Sequence, residues 1–141
     1  MSDELAFVDT NVLVYAVSRD EPAKQAKARI ILQRGFAEGC YVISTQVLLE
    51  LYVNVTQKTK IRLPPREALD YVRALTEWPV IETTPSLVLA AVSLSDRAMI
   101  SVWDAAIIEA ARIGGCNRVL SEDLGSGHSY GGIMVENPFG P

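Results

Sequence analysis

Four acidic residues stand where this 141-residue sequence changes character: Asp9, Glu50, Asp104 and Asp123. Asp9 ends the apolar run Leu5-Ala6-Phe7-Val8 abruptly, and Thr10 and Asn11 follow it before Val12-Leu13-Val14-Tyr15-Ala16 turns apolar again. Asp123 stands in Ser121-Glu122-Asp123-Leu124, just after the short apolar pair Val119-Leu120. An acid at the carboxyl end of a buried strand sits where open α/β sheets place their ligand crevice. Glu50 lies at the margin of a helical apolar stripe, where a carboxylate looks along a crevice rather than into bulk water. Asp104 stands three residues after Ser101, a pattern that also makes a capping box. Each acid alone has a structural explanation of this kind, as turn cap, helix cap or solvated helix residue. Convergence of all four would need another.

Carboxylates crowded into a cleft repel one another and resist desolvation unless cations join them. Oxygen ligands without thiolate or imidazole select Mg²⁺ or Mn²⁺. Such a site suits phosphodiester hydrolysis, in which one ion activates water and an ion stabilises the leaving oxygen. That chemistry needs neither a histidine base nor a cysteine or serine nucleophile. It is consistent with a chain whose single histidine is His128. A phosphotransferase with Asp9 as nucleophile is a competing reading, but it usually wants a second Asp two residues on, and that position is Asn11.

Short apolar strands alternate with helices along the chain. Strands are expected at Leu5-Ala6-Phe7-Val8, Cys40-Tyr41-Val42-Ile43, Pro79-Val80-Ile81, Val119-Leu120 and Ile133-Met134-Val135. Asp20-Glu21-Pro22 opens a helix that runs towards Gly35 or Gly39. Ser44 or Thr45 caps a second helix over residues 46–57, with an apolar stripe at 47, 48, 51, 52 and 55. Further helices are expected over residues 66–78 and 86–98, and from Ser101 to the Gly114-Gly115 stop. The segment 125–132 reads as a glycine-rich loop. No repeat or linker interrupts this order, so one domain over residues 1–141 is expected. The alternation implies a parallel α/β sheet covered on both faces. Right-handed crossovers then bring the strands' carboxyl ends, and with them the four acids, to one edge.

Bulk composition is compatible with this reading. Apolar residues make up 49% and charged residues 21%, an ordinary globular balance that argues against disorder. The acidic Met1-Ser2-Asp3-Glu4 lacks a signal-peptide pattern, and no apolar run approaches the ~20 residues of a membrane span. A cytoplasmic protein with no membrane partner is expected. Cys40 and Cys116 are too few for a disulfide scaffold or a zinc site and read as buried structural thiols. The net charge of −4 does not exclude a nucleic-acid partner, because setting four site acids aside leaves 13 acidic against 13 basic residues. Basic residues gather at Lys24, Lys27, Arg29 and Arg34, and in Lys58-Thr59-Lys60-Ile61-Arg62. A solvated helix face accounts for the first cluster, with an RNA-facing or partner-facing surface as the alternative, and the helix dipole accounts for the second.

Five segments together resemble PIN-domain proteins, and in detail the VapC-type toxins of bacterial toxin–antitoxin pairs. They are Phe7-Val8-Asp9-Thr10-Asn11-Val12-Leu13-Val14-Tyr15-Ala16, Ile43-Ser44-Thr45-Gln46-Val47-Leu48-Leu49-Glu50-Leu51, Ser101-Val102-Trp103-Asp104-Ala105-Ala106-Ile107, Leu120-Ser121-Glu122-Asp123-Leu124 and Asn137-Pro138-Phe139. The resemblance implies a three-layer α/β/α sandwich with a five-stranded parallel sheet. It also implies a Mg²⁺- or Mn²⁺-dependent endoribonuclease that cleaves RNA and is blocked by a small antitoxin protein. The acidic quartet falls on Asp9, Glu50, Asp104 and Asp123, with Asp9 and Asp104 as the firmest direct metal ligands. Glu50 and Asp123 would act through water or hold a second ion. Thr10, Asn11 and Ser121 match positions that orient carboxylates or waters, and Glu122 is expected to point away. A homodimer is implied by the resemblance alone. A PIN nuclease that is not a toxin, or a catalytically silent RNA-binding module, is the alternative.

Overall fold

The computed structural model of the chain describes residues 4–58, 60 and 62–140. Thr59 and Ile61 of the basic segment, and Met1, Ser2 and Asp3 at the start, lie outside the described residues. The element order is β1 (Ala6–Val8), α1 (Thr10–Tyr15), α2 (Pro22–Glu38), β2 (Tyr41–Ser44), α3 (Thr45–Val53), α4 (Pro65–Leu75), β3 (Val80–Ile81), α5 (Pro85–Ala98), α6 (Val102–Ile113), β4 (Arg118–Leu120), β5 (Ser129–Tyr130) and β6 (Ile133–Glu136).

The strands form one sheet in the order β3-β2-β1-β4-β6-β5. The first five of these run parallel, with Ala6 opposite both Tyr41 and Arg118 and Val8 opposite Leu120. β1 is therefore the middle strand of the parallel set: the chain moves from it to β2 and β3 on one side, then crosses back through α5 and α6 to β4 on its other side. The crevice between strands that diverge in this way is the switch point at which open α/β sheets bind ligands. All three residues of β1 are fully buried. α5 and α6 pack as a pair, with α6 against the sheet, while α1 contacts α2 and α3, and α3 contacts α4. One hydrophobic cluster, which includes Phe7, Val42, Ile43, Leu51, Leu87, Ile108 and Val119, fills the space between these layers.

Three expectations are corrected. The sheet has six strands rather than five, because the glycine-rich segment contains β5, which pairs antiparallel with β6 through Ser129–Met134 and Tyr130–Ile133. Gly131 and Gly132 connect the two with φ of 58° and 90°, the consecutive positive values that a tight hairpin turn demands. The helix that follows β2 ends as α-helix at Val53 and continues as a π-helical turn, Asn54–Lys58. Cys40 is only half-buried, whereas Cys116 is buried, and its thiol is pushed up to about 11 by that burial.

Helix ends follow local chemistry. Pro22 and Pro85 occupy first-turn positions, and the hydroxyls of Ser44, Thr84 and Ser101 accept from the backbone N–H of Val47, Leu87 and Asp104. α2 runs through Gly35 and stops at Gly39, whose φ of 65° is the left-handed cap. Gly35 instead admits Trp78 against the helix, since a Cβ there would lie 2.2 Å from the indole. Among the described residues no single helix is long and apolar enough to cross a membrane.

Candidate active site

Asp9 is the residue at which β1 becomes α1. Its Oδ1 accepts the Thr10 N–H at 2.8 Å and so caps a six-residue helix that starts immediately after the strand. Its Oδ2 accepts from the Ser121 hydroxyl at 2.8 Å and the Asn11 amide at 3.3 Å. Ser121 follows β4, the strand beside β1, and is fully buried. The Ser121 hydroxyl also accepts from the backbone N–H of Asp123 at 3.1 Å, and Asn11 Oδ1 accepts the Glu122 N–H at 3.1 Å. The polar residues that follow the two central strands are thereby knitted into one network.

Glu50 reaches this network from α3. Thr10 donates its hydroxyl proton to Glu50 Oε1 at 2.8 Å, and Gln46 donates to Glu50 Oε2 at 3.2 Å. Gln46 also donates to the Trp103 carbonyl at 3.2 Å, which ties α3 to the first turn of α6. Gln46 was not among the expected site residues, although its i,i+4 spacing from Glu50 is a signal for it. Asp104 sits on that same turn of α6, its backbone N–H held by the Ser101 hydroxyl at 3.0 Å.

Asp9, Glu50, Asp104 and Asp123 all line one cleft of about 780 Å³, together with Thr10, Asn11 and Lys60. Ser121 lies beneath it, holding Asp9. The mouth is apolar and exposed: Leu49 is 71% and Trp103 65% accessible. Glu122 turns elsewhere and binds Tyr15 and Lys24. His128 is exposed, does not line the cleft, and stacks on Tyr130 with ring centroids 6.3 Å apart.

The electrostatics show two raised carboxyls in the cleft. Burial pushes the Asp9 carboxyl up to about 6; the bonds from Ser121 and Thr10 oppose the rise, and the charges of Glu50 and Asp104 add to it. Asp104 is raised as well, first by burial, with Asp123 and Glu50 contributing charge repulsion. Burial alone would raise Glu122, yet the bonds from Lys24 and Tyr15 outweigh it and hold that carboxyl low. Among the described residues no salt bridge reaches Asp9, Glu50, Asp104 or Asp123. Nor do three of them already close on a common point as a finished metal cage. The donor set of these four residues is oxygen only, and mutually repelling carboxylates are what a hard divalent cation would neutralise. The residues fit Mg²⁺ or Mn²⁺.

A parallel α/β sheet with acids gathered at its switch point is shared by several protein families, and comparison with known proteins narrows the choice. The pattern of the PIN domain matches residues 6–125. The chain belongs to the PIN domain family. It is similar to Ribonuclease VapC23 of two Mycobacterium tuberculosis strains, at 40% identity over 81 residues, 54% of this chain. That match spans 60% of the length of these relatives. Among solved structures, Mycobacterium tuberculosis VapC20, described as a sarcin-ricin loop cleaving toxin, superposes with a TM-score of 0.65 at 22% identity, covering 84% of this chain and 92% of that one. FitAB bound to a DNA fragment superposes with a TM-score of 0.72 at 16% identity, covering 97% of both chains. DNA-bound VapBC from Salmonella typhimurium gives 0.66 at 17% identity, covering 96% and 98%. These structural likenesses establish the fold.

Proposed function

We propose that this chain is the ribonuclease toxin of a VapC-type toxin–antitoxin pair, acting on RNA with Mg²⁺ or Mn²⁺ and silenced by a small antitoxin protein. The observation that carries the reading is the convergence of Asp9, Glu50, Asp104 and Asp123 on one cleft of a PIN domain. Similarity to a protein named Ribonuclease VapC23, and in fold to a Klebsiella pneumoniae structure described as a toxin–antitoxin complex, supports it. A divalent ion bound there supplies an activated water at neutral pH and offsets charge on the leaving oxygen.

In this reading Asp9 and Asp104 are direct ligands, and Glu50 and Asp123 act through water or at a second ion. Ser121 and Asn11 hold Asp9 Oδ2, so the carboxylate is set before the ion arrives. Thr10 and Gln46 each hold one oxygen of Glu50, which keeps that side chain in the cleft. An antitoxin arginine that reached these acids would pair with them and displace the cation.

Replacing residues that merely orient ligands lowers activity about 10–100-fold, so Asp9→Asn or Asp104→Asn should remove more than that. The test is to map cleaved RNA ends in cells expressing the wild type against Asp9→Asn, together with cleavage by purified proteins in Mg²⁺. Cleavage at equal rates by wild type and both variants, once contaminating nucleases are removed, would overturn the reading.

A further inference from the structure

Beside the acid cleft lies a second cavity of about 590 Å³, which shares Asp20 and Lys60 with it as walls. Its charge is of the opposite kind. Arg19 from the loop after α1, Arg29 from α2, and Lys60 and Arg62 from the segment ahead of α4 line it, against two acids, Asp20 and Glu67. Three separate stretches of a chain with net charge −4 thus send cations into one groove.

All four cations are exposed, and among the described residues none forms an ion pair. Arg29 donates from Nε to the Ala16 carbonyl at 3.0 Å, which anchors its stem and leaves the terminal nitrogens without a hydrogen bond among the described residues. Arg62 adopts a φ of 42°, a left-handed backbone that non-glycine residues adopt rarely. Val17, Leu63 and Pro64 also line the groove and offer apolar surface on which arginine stems can lie.

We propose that this groove is a phosphodiester-binding subsite, which holds the RNA strand beyond the bond being cut. The proposal rests on the nuclease reading of the adjoining cleft. Phosphates flanking the scissile bond are repelled by four carboxylates, and a strand can lie there only if nearby cations offset that repulsion. Guanidinium groups match phosphate oxygens in two-pronged geometry, and an unpaired set of them at the end of a catalytic cleft suits a single strand passing through.

The test uses the full chain carrying Asp9→Asn, so that binding is read without cleavage, and fluorescent single-stranded oligouridylates of about 4 to 16 nucleotides. Arg19→Gln and Arg62→Gln are then added together; Lys60 is left alone because it also lines the acid cleft. Loss of two phosphate contacts should lower the slope of log affinity against log salt by about 1.4 and weaken binding about 10- to 30-fold near 0.1 M salt. In the cleaving protein the same pair should raise KM for long RNA and leave kcat on the shortest substrates unchanged. Unchanged slope and affinity in a double variant that melts like its parent would overturn the subsite while cleavage by the wild type keeps the nuclease reading. A reduced slope with no cleavage by the wild type would keep the groove as a phosphodiester-binding site but overturn the nuclease reading, and with it the groove's place beside a bond being cut. Unaltered RNA binding with weakened capture of an acidic peptide would assign the groove to a protein partner and overturn the proposal.

Discussion

Asp9 is held in two opposed ways. Three hydrogen bonds favour its charged form, yet it is 7% exposed, and burial wins, raising its carboxyl from 3.8 to about 6. Between those values the folded protein keeps a proton that the unfolded chain releases, so this group's contribution falls as pH rises through that window. That rise corresponds to at most about 3 kcal/mol. In chelator, denaturant titrations at pH 4 and pH 7 should show wild type losing about 1–3 kcal/mol more than Asp9→Asn across the interval. The difference between proteins is the measure, because other carboxylates contribute slopes of their own. Parallel pH profiles would show that Asp9 is ionised without cost. At this scale the four acids were legible in the sequence, because each interrupts an apolar pattern. The partners of Glu122 were not, since Lys24 lies 98 residues away and only the tertiary fold brings α2 to the loop after β4.

The elements divide along the same line between local and long-range causes. Starts marked by Pro22, Ser44, Thr84-Pro85 and Ser101 were readable, because a proline or a capping hydroxyl acts within one turn. α1 was not readable as a helix: six residues rich in valine have little helical preference, and the Asp9 cap and packing against α2 and α3 decide it. The β5–β6 hairpin was hidden in a run that looked like loop. Arg112 on α6 reaches across to it, donating to the carbonyls of Gly131 at 2.8 Å and Tyr130 at 3.1 Å. Met99 marks a place where the chain departs from local preference. It ends α5 in a left-handed conformation, φ 57°, and is 90% exposed, so its side chain contributes little packing to offset the strain. Glycine is the usual residue at such a cap. Met99→Gly should therefore stabilise the protein by about 0.5–1 kcal/mol, read from the midpoint of chemical denaturation. A destabilised variant would show that the methionine side chain makes contacts that outweigh its backbone strain. Gly35→Ala should act in the opposite direction. Its Cβ would meet Trp78, which is packed between Phe36 and Tyr41, and overpacking of this kind costs about 1–3 kcal/mol.

At the scale of the whole molecule, the parallel order makes a cluster out of acids that are up to 114 positions apart in the numbering of Asp9 and Asp123. Strand alternation made that order legible; the exposed mouth at Leu49 and Trp103 and the neighbouring basic groove depend on how layers meet, and no local pattern announces them. The cluster sets stability against function, and the two can be separated by one measurement. Without divalent ions, four mutually repelling carboxylates weaken the fold, so Asp9→Asn, which removes one charge and a desolvation penalty, should melt above wild type in chelator. With ions the order should reverse. A ligand that binds only the folded state adds about 2.7 kcal/mol at a hundredfold excess over its Kd, and for a chain of this size each kcal/mol moves Tm by about 3–5 °C. Wild type should therefore gain several degrees on addition of Mn²⁺ or Mg²⁺ and overtake the variant, whose site has lost a direct ligand. The crossing is the diagnostic outcome, because a change in packing alone would shift both curves by the same amount with and without metal. Melting curves that keep their order in chelator and in Mn²⁺ would remove Asp9 from the ion site and leave its burial as a purely structural feature of the β1–α1 junction.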